Sequence, residues 1–194
     1  MRYPLYRFLR PILTFLMKIF YRVEIINRNN IPCDGRVILA GNHISNLDAV
    51  LVLSSTKRTI RFLAKIELMQ KFGFIFKRLG IIPVDRKRKN KEALIEAENE
   101  LKKENIIGIF PEGTTNKKEY VVLPFKYGAV KMASDTNSMI IPFAIVGKYK
   151  FLRKKVKIIF DRGYHIQDKN DLTSENIKLM NKIIKLMKEN NNAK

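Results

Sequence analysis

The arrangement of apolar segments along the chain constrains its fold more than any other feature. Short apolar runs of strand length alternate with longer segments whose apolar residues recur every three or four positions, the spacing of an amphipathic helix. Strands that alternate with helices are typical of an α/β domain with a largely parallel sheet. We therefore expect a single α/β domain, with a mostly parallel sheet of about seven strands flanked by helices. The predicted strands lie at 22–26, 37–40, 59–64, 80–84, 106–110, 139–146 and 156–160.

Length and composition fit this class and exclude several others. A chain of 194 residues, 46% of them hydrophobic, can form one domain with a single core and is not a disordered segment. A lone cysteine, Cys33, excludes an internal disulfide framework and is compatible with a reducing compartment. Because there are also only two histidines, too few ligands remain for a structural zinc cluster.

The formal net charge of +20 predicts affinity for an anionic partner. Nucleic acid, a phospholipid surface, an acidic protein or a phosphorylated substrate would each satisfy it, and composition does not choose among them. The basic residues are spread along the chain without a recognisable nucleic-acid-binding motif, so we expect no specific nucleic acid partner. A non-enzymatic basic binding domain nevertheless stays open as an alternative to an enzyme.

Residues 1–22 contain five cationic side chains and no acidic one. Their pattern predicts an amphipathic helix that precedes a second unit, residues 23–194. Each central cation costs about 2.5–3.5 kcal/mol in a bilayer, which cancels the apolar gain, so we expect the helix to lie in the interface of an anionic membrane rather than span it. A helix packed on its own domain is the alternative. The polar stripe of this helix consists of Arg7, Arg10, Thr14, Lys18 and Tyr21.

The segment from Asn42 to Asp48 carries the clearest potential for chemistry. His43 follows the predicted strand 37–40, and a run typical of a buried helix begins at Ala49. Ligand sites in open α/β sheets form at the carboxyl ends of strands. An imidazole there can accept a proton near neutral pH, and a carboxylate on its second nitrogen would fix its tautomer. His43 and Asp48 are therefore a candidate catalytic dyad.

A structural interpretation of the same residues is equally open. Ser45 and Asp48 precede an apolar run with the spacing of a capping box, in which the carboxylate binds backbone donors at a helix start. One carboxylate can serve both purposes.

Three further positions follow predicted strands at the same edge of the sheet. Gly113, between Glu112 and Thr114, would let backbone amides face a ligand. A guanidinium at Arg86 could bind a phosphate through two hydrogen bonds. Lys65 ends the strand at 59–64. Each of these residues, taken alone, also fits an ordinary turn or a solvated charge.

Taken together, these motifs resemble the lysophosphatidic acid acyltransferases, the 1-acylglycerol-3-phosphate O-acyltransferases of phospholipid synthesis. The resemblance covers residues 36–147. The combination is specific because the His-x-x-x-x-Asp element and the Phe-Pro-Glu-Gly-Thr element occur in the family's order and separation. The matching segments are Asn42–Asp48, Ala64–Leu68, Gly80–Arg86, Phe110–Thr114, Pro124–Ala129 and Ile140–Phe143.

The resemblance implies acyl transfer from a thioester to the sn-2 hydroxyl of 1-acylglycerol-3-phosphate, which gives phosphatidic acid. His43 would act as the general base and Asp48 would orient it. Arg86 and Lys65 would hold the acceptor phosphate, and amides around Gly113 would stabilise the oxyanion. Thr115 stands where the family typically has Arg or Ser, so Arg86, Lys65, Lys117 or Lys126 would have to compensate. The substrate-binding residues expected from the resemblance are Asn42, Lys65, Arg86, Phe110, Pro111, Glu112, Gly113, Thr114 and Lys126.

The same resemblance implies the partners. The acyl donor would be an acyl carrier protein or coenzyme A thioester, the acceptor a lysophospholipid, and the location the cytoplasmic side of the cell membrane, as a peripheral or monotopic protein. Basic patches such as 153–155 could receive the donor. We expect no metal, no cofactor and no acyl-enzyme, so Cys33 should be dispensable.

Two alternatives to this assignment follow from the residues. Another lysolipid could be the acceptor. A hydrolase could use Ser45 with His43, although the chain contains no Gly-x-Ser-x-Gly element, which is the usual setting of a nucleophilic serine.

Overall fold

A seven-stranded sheet organises the described part of the chain. The structure is a computed structural model that describes residues 3–85, 91–116, 122–152 and 156–191, with the backbone alone at 70–72 and 191. The strands are β1 (Glu24–Ile26), β2 (Val37–Gly41), β3 (Ile60–Lys65), β4 (Ile82–Val84), β5 (Ile106–Ile109), β6 (Met139–Gly147) and β7 (Val156–Phe160). The α-helices are α1 (Pro4–Tyr21), α2 (Asp48–Leu53), α3 (Ile66–Leu79), α4 (Lys91–Lys102), α5 (Gly128–Thr136) and α6 (Leu172–Asn191).

Strand direction decides which loops can meet. Five adjacent strands, in the order β6-β2-β5-β3-β4, are parallel, so their carboxyl ends lie at one edge of the sheet. β7 is antiparallel to β6, and β1 is parallel to β7, so these two run in the opposite direction. The expected single α/β domain, with a mostly parallel sheet of about seven strands flanked by helices, is confirmed.

β2 is packed on both faces, and this packing fixes the position of the segment that follows it, which begins at Asn42. All five of its residues are buried, which explains its continuous apolar sequence. Ile38 belongs to the core under α4, α5 and α6, whereas Val37 and Leu39 belong to the core under α1 and α2. Burial of each of these large side chains contributes about 1.5–3 kcal/mol.

Two predicted helix boundaries shift for local reasons. The helix predicted at 90–104 ends at Lys102 as α4, and Glu104 adopts a left-handed backbone with a φ of 61°. The helix predicted at 125–134 begins only at Gly128 as α5, because the backbone N–H of Lys126 donates to the carbonyl of Pro111. That hydrogen bond keeps Lys126 beside the loop that follows β5.

The predicted N-terminal helix exists, and it packs on its own domain through one face. Met17 and Tyr6 of α1 are buried, and the Tyr6 hydroxyl accepts a hydrogen bond from the Ile60 N–H. Arg10, expected in a stripe facing lipid phosphates, instead donates from Nε to the carbonyl of Leu53. The exposed apolar face of α1 consists of Phe8, Ile12, Phe15, Leu16 and Ile19. No helix among the described residues is long and apolar enough to cross a membrane.

Candidate active site

His43 and Asp48 lie in contact at the carboxyl end of β2. His43 Nδ1 is 2.8 Å from Asp48 Oδ2. The Asp48 side chain is fully buried, whereas 16% of the His43 side chain is exposed. An imidazole that donates its Nδ1 proton to a carboxylate carries its unshared electron pair on Nε2. The contact therefore leaves Nε2 as the nitrogen that can accept a proton.

Asp48 also holds the loop before α2. Its Oδ2 accepts hydrogen bonds from the backbone N–H groups of Ile44, at 2.6 Å, and Ser45, at 2.8 Å. One carboxylate thus binds both the imidazole and backbone donors of the loop before α2, whereas α2 itself begins after Leu47 without a side-chain cap. The Ser45 hydroxyl accepts a hydrogen bond from the Leu47 N–H, which favours a structural role over that of a hydrolase nucleophile.

Tyr149 is a site residue that sequence reasoning missed. It lies just past β6, at the edge of the sheet that carries His43, and its hydroxyl donates to Asp48 Oδ1 at 2.7 Å. Burial first, and then the neighbouring Asp48 carboxylate, raise the pKa of the Tyr149 phenol well above its usual range. Tyr149 is therefore a neutral donor at physiological pH. Only its position after a strand could have pointed to it, because it belongs to no motif.

Glu112 joins the loop after β5 to the loop after β2. Its side chain is buried; Oε1 accepts a hydrogen bond from the His43 backbone N–H at 3.0 Å, and Oε2 accepts from Asn116 Nδ2 and from the Leu123 N–H. Because both oxygens are occupied by the chain itself, this geometry favours a bracing role over the expected substrate contact.

Aromatic and hydroxyl groups surround the imidazole. The Phe110 ring stacks on His43 with a centroid separation of 4.1 Å and an interplanar angle of 14°. The Thr115 hydroxyl lies 3.4 Å from His43 Nε2, a long contact compared with an ordinary hydrogen bond. Phe110 therefore fixes the plane of the His43 ring. The Thr115 hydroxyl lies on the Nε2 side of that ring, where a substrate hydroxyl would have to approach.

The turn at Gly113 brings Lys126 beside the site. Gly113 has a φ of 69°, a left-handed conformation that favours glycine. A Cβ at this position would lie 3.0 Å from Cε of the flexible Lys126 side chain, which places that side chain directly over the turn. The Gly113 N–H donates to the Phe110 carbonyl, which removes it from the expected set of oxyanion donors. Buried Pro111 anchors the turn through its carbonyl, which accepts from the Lys126 N–H. Thr114, next in the chain, is exposed.

A cavity of about 870 Å³ reaches His43. Side chains from α1, α2, α3 and β3 form much of its wall, and most of them are apolar, so the cavity suits a hydrocarbon chain. Six polar residues of the lining lie at or beside the carboxyl ends of the parallel strands, the edge of the sheet that carries His43, and they form the polar end of the cavity. They are Asn46, Lys65, Asp85, Thr114, Thr115 and Lys126.

Two predicted phosphate ligands lie at this polar end, and one lies outside the described residues. Lys65 ends β3 and Lys126 precedes α5; both are exposed, and both line the cavity that His43 lines. Arg86, expected to bind the acceptor phosphate, and Lys117 fall outside the described residues, as does the basic patch at 153–155.

Asn42 has a different role from the one expected. Its amide donates from Nδ2 to the Ile145 carbonyl at 2.9 Å and accepts at Oδ1 from the Ile145 N–H at 2.7 Å. The side chain is buried, and both ends of its amide are paired. The contacts favour a role for Asn42 in joining β2 to β6 rather than in binding substrate.

Fold and site together define an α/β enzyme with a histidine–carboxylate pair at the mouth of an apolar cavity. No group of three or more histidine, cysteine, aspartate or glutamate residues arranged to hold a metal occurs in the part of the chain that the structure describes. The family model described as Acyltransferase matches residues 22–146. The chain belongs to this family, and it is an acyltransferase.

Relatives with assigned names agree on one activity. The 1-acyl-sn-glycerol-3-phosphate acyltransferase of Bacillus subtilis is 29% identical over 178 residues, 88% of each chain. The probable enzyme of that name from Mycoplasma pneumoniae is 31% identical over 75% of this chain and 59% of its own, and the Borreliella burgdorferi enzyme is 30% identical over 75% and 58%. This chain therefore spans less than two thirds of the latter two.

A solved structure supports the fold. The 1-acyl-sn-glycerophosphate (LPA) acyltransferase of Thermotoga maritima superposes with a TM-score of 0.76 over 95% of this chain and 80% of its own, at 23% identity. The two proteins thus share their overall fold.

Proposed function

We propose that this protein transfers a fatty acyl group from a thioester donor to the sn-2 hydroxyl of 1-acylglycerol-3-phosphate, producing phosphatidic acid. The observation that carries the proposal is the contact between His43 and Asp48 at the polar end of an apolar cavity. The names of the relatives from Bacillus subtilis and Borreliella burgdorferi support the same acceptor.

Proton transfer at His43 starts the proposed reaction. Nε2 removes the proton from the acceptor hydroxyl as its oxygen attacks the thioester carbonyl carbon. Asp48, held on Nδ1, stabilises the imidazolium that forms. When the tetrahedral intermediate collapses, the carbon–sulfur bond breaks and the imidazolium returns the proton to the departing thiolate. Positioned base catalysis of this kind contributes about 10²–10⁴-fold.

The oxyanion needs a donor other than Gly113. The backbone N–H groups of Thr114 and Thr115 form no hydrogen bond with any residue that the structure describes, and both residues line the cavity. We assign them as the oxyanion donors. A donor that is already oriented before the charge develops is worth about 10²–10³-fold in rate.

The polar end of the cavity is the proposed site of the acceptor phosphate. Lys65 at the end of β3 and Lys126 before α5 both line it, so the phosphate would lie between two cations, with Arg86 as a third ligand. The acyl chain of one substrate would extend among the apolar side chains of α1, α2 and β3. Phosphate at one end and hydrocarbon at the other match a lysophosphatidate better than a neutral lysolipid.

The exposed apolar face of α1 is proposed to hold the enzyme on an anionic membrane surface, where its acceptor is found. Phe8 and Phe15 are 67% and 62% exposed, and Phe74 on the neighbouring helix α3 is 71% exposed. Large apolar side chains grouped on adjacent helices are typical of an interaction surface. Exposed Arg7 and Lys18 on the same helix would contact lipid phosphates.

One experiment tests the reaction and its substrates together. The purified protein is offered a matrix of acyl-carrier-protein and coenzyme A thioesters against lysophosphatidate and neutral and zwitterionic lysolipids, and the products are identified by mass spectrometry. We expect phosphatidic acid from lysophosphatidate, and none with His43→Ala. Transfer to other lysolipids without transfer to lysophosphatidate would overturn the proposed acceptor. Product formation that survives in folded His43→Ala would overturn the proposed base.

A further inference from the structure

The two oxygens of the Asp48 carboxylate have different partners. Oδ2 receives the imidazole of His43 and two backbone N–H groups, whereas Oδ1 accepts a hydrogen bond from the Tyr149 hydroxyl at 2.7 Å. The Asp48 side chain is fully buried. A buried carboxylate oxygen without a hydrogen-bond donor is costly. Tyr149 supplies the donor for Oδ1, the oxygen that does not contact His43.

Tyr149 is itself held by the carboxyl end of α1. Its ring contacts the ring of Tyr21 edge-on, with a centroid distance of 5.7 Å and an interplanar angle of 82°. Three residues further on, the Leu152 N–H donates to the Phe20 carbonyl at 2.7 Å, and Phe151 stacks on Phe20 at 5.0 Å. The loop after β6 thus joins the helix with the exposed apolar face to the carboxylate that touches His43.

We propose that Tyr149 is a positioning residue, which orients Asp48 on His43 and makes that orientation depend on the docking of α1 through Tyr21. The kinetic part of this inference rests on the proposed function, since it concerns the rate of the reaction that His43 starts. The structural part concerns the protonation of His43 alone, and it is measurable without any substrate.

Tyr149→Phe removes the hydroxyl and keeps the ring on Tyr21. Oδ1 then lacks its donor, so the carboxylate turns more freely, and kcat falls by about 10-fold while KM stays the same. A carboxylate with one donor fewer also stabilises the imidazolium more strongly. We therefore expect the acidic limb of the kcat/KM profile, which reports protonation of the proposed base, to move to higher pH.

Several charged and titratable groups lie around the His43 imidazole or line the same cavity. Tyr149→Phe alters one member of this set and leaves the charges of the others in place. The members are Asp48 of α2, Glu112 after β5, Tyr149 after β6 and, on the cavity wall, Tyr6, Arg10, Lys65, Asp85 and Lys126.

The chain provides a matched control and an internal reference. Tyr164 also has a buried hydroxyl, and this hydroxyl has no hydrogen-bond partner among the described residues. Tyr164→Phe is thus the same chemical change away from the site. His165 is the second of two histidines, so the proton NMR spectrum contains two imidazoles, and His165→Asn assigns them.

The experiment measures the pKa of His43 by NMR, together with kcat, KM and thermal unfolding. The proteins compared are the wild type, Tyr149→Phe, Tyr164→Phe, Tyr21→Leu and the Tyr21→Leu/Tyr149→Phe double variant. We expect a raised His43 pKa and a lower kcat in Tyr149→Phe, with neither change in Tyr164→Phe. Tyr21→Leu should lower kcat, and its effect should not add to that of Tyr149→Phe. A folded Tyr149→Phe protein with the wild-type His43 pKa and kcat would overturn the positioning role. Additive effects would overturn the link to α1.

Failure of this inference is distinguishable from failure of the proposed function. If no acyl donor and lysolipid pair yields product, the proposed function fails, yet the His43 pKa still decides whether Tyr149 acts on the dyad. If wild type makes phosphatidic acid while Tyr149→Phe matches it in rate and in His43 pKa, only this inference fails.

Discussion

The carboxylate of Glu112 accepts a hydrogen bond from the backbone N–H of His43 at 3.0 Å. Glu112, which precedes Gly113 in the turn after β5, is therefore not aimed at a ligand but at the backbone of the proposed base. Its second oxygen accepts from Asn116 Nδ2 and the Leu123 N–H, so a single buried side chain joins the loop after β2 to the segment after β5.

Glu112→Gln is predicted to weaken both the fold and the reaction. Glutamine offers one acceptor oxygen and one NH₂ group, so at least one of the N–H donors now facing Glu112 would meet another donor. An unsatisfied buried donor costs about 1–3 kcal/mol. We expect a loss of stability of that size in urea unfolding, together with a reduced kcat because the backbone of His43 loosens.

The control for that substitution is Glu92→Gln. Glu92 is exposed on α4, so the same change should alter stability by less than about 0.5 kcal/mol. Equal effects of Glu92→Gln and Glu112→Gln would contradict the bracing role.

The dyad is predicted to respond differently to changes at its two members. His43→Ala should abolish transfer while leaving the fold intact, because it removes the only proposed proton acceptor. Asp48→Asn should lower kcat by about 10²-fold or more, because the neutral amide no longer stabilises the imidazolium. Rates of thiol release from the acyl donor, with circular dichroism to verify folding, would measure both.

From the sequence, Asp48→Asn would be expected to act by releasing the His43 tautomer that the carboxylate fixes. The structure gives a different reason for its effect. The Ile44 and Ser45 N–H groups point at Oδ2, so an asparagine would place its carbonyl oxygen there and keep the Nδ1 proton of His43 in place. Loss of charge is then the main effect. A wild-type kcat in Asp48→Asn would exclude an electrostatic role for this carboxylate.

The sequence predicted what depends on local order, and it missed what depends on distant contacts. His43 and Asp48 are five residues apart across one strand-to-helix connection, so the motif alone brings them together. Tyr149 is 101 residues from Asp48, and Asn42 is 103 from Ile145. Neither of these two hydrogen-bonded pairs can be recognised from a motif or a residue spacing in a single sequence. For the same reason, the sequence placed Arg10 on a lipid-facing stripe, whereas the docking of α1 directs it to Leu53.

Lys65 and Lys126 are predicted to recognise the acceptor phosphate. Lys65→Gln and Lys126→Gln should each raise KM for lysophosphatidate by about 10-fold, since a hydrogen bond to a charged group is worth about 1.5–3 kcal/mol, while kcat changes little. Transfer to monoacylglycerol, which lacks the phosphate, should be unaffected. The control is Lys169→Gln, an exposed lysine outside the cavity. A similar loss with both acceptors would argue against phosphate recognition.

Thr115 is predicted to be replaceable by arginine with a gain in acceptor affinity. It lines the cavity beside Thr114, and a guanidinium there could bind the phosphate through two hydrogen bonds. Thr115→Arg should lower KM for lysophosphatidate severalfold. Thr115→Val is the control, because it removes the hydroxyl near His43 Nε2 without adding a cation. Its kcat should stay within about 3-fold of the wild-type value, because the 3.4 Å contact between the Thr115 hydroxyl and Nε2 is weak. A large fall in kcat with Thr115→Val would instead assign the hydroxyl to the chemistry.

The exposed apolar face of α1 is predicted to carry membrane binding. A Phe side chain transferred from water into lipid gains about 1.5–3 kcal/mol, so Phe8→Ser/Phe15→Ser should weaken binding to phosphatidylglycerol-containing vesicles by about 10²-fold or more. Ile177→Ser is the matched control, because Ile177 is an exposed apolar residue on α6, which packs on the opposite face of the sheet from α1. Co-sedimentation with vesicles measures both variants. Neither Phe side chain lines the cavity that His43 lines, so kcat on lysophosphatidate dispersed in detergent should stay at the wild-type value. Unchanged sedimentation of the double variant would exclude this face as the membrane contact.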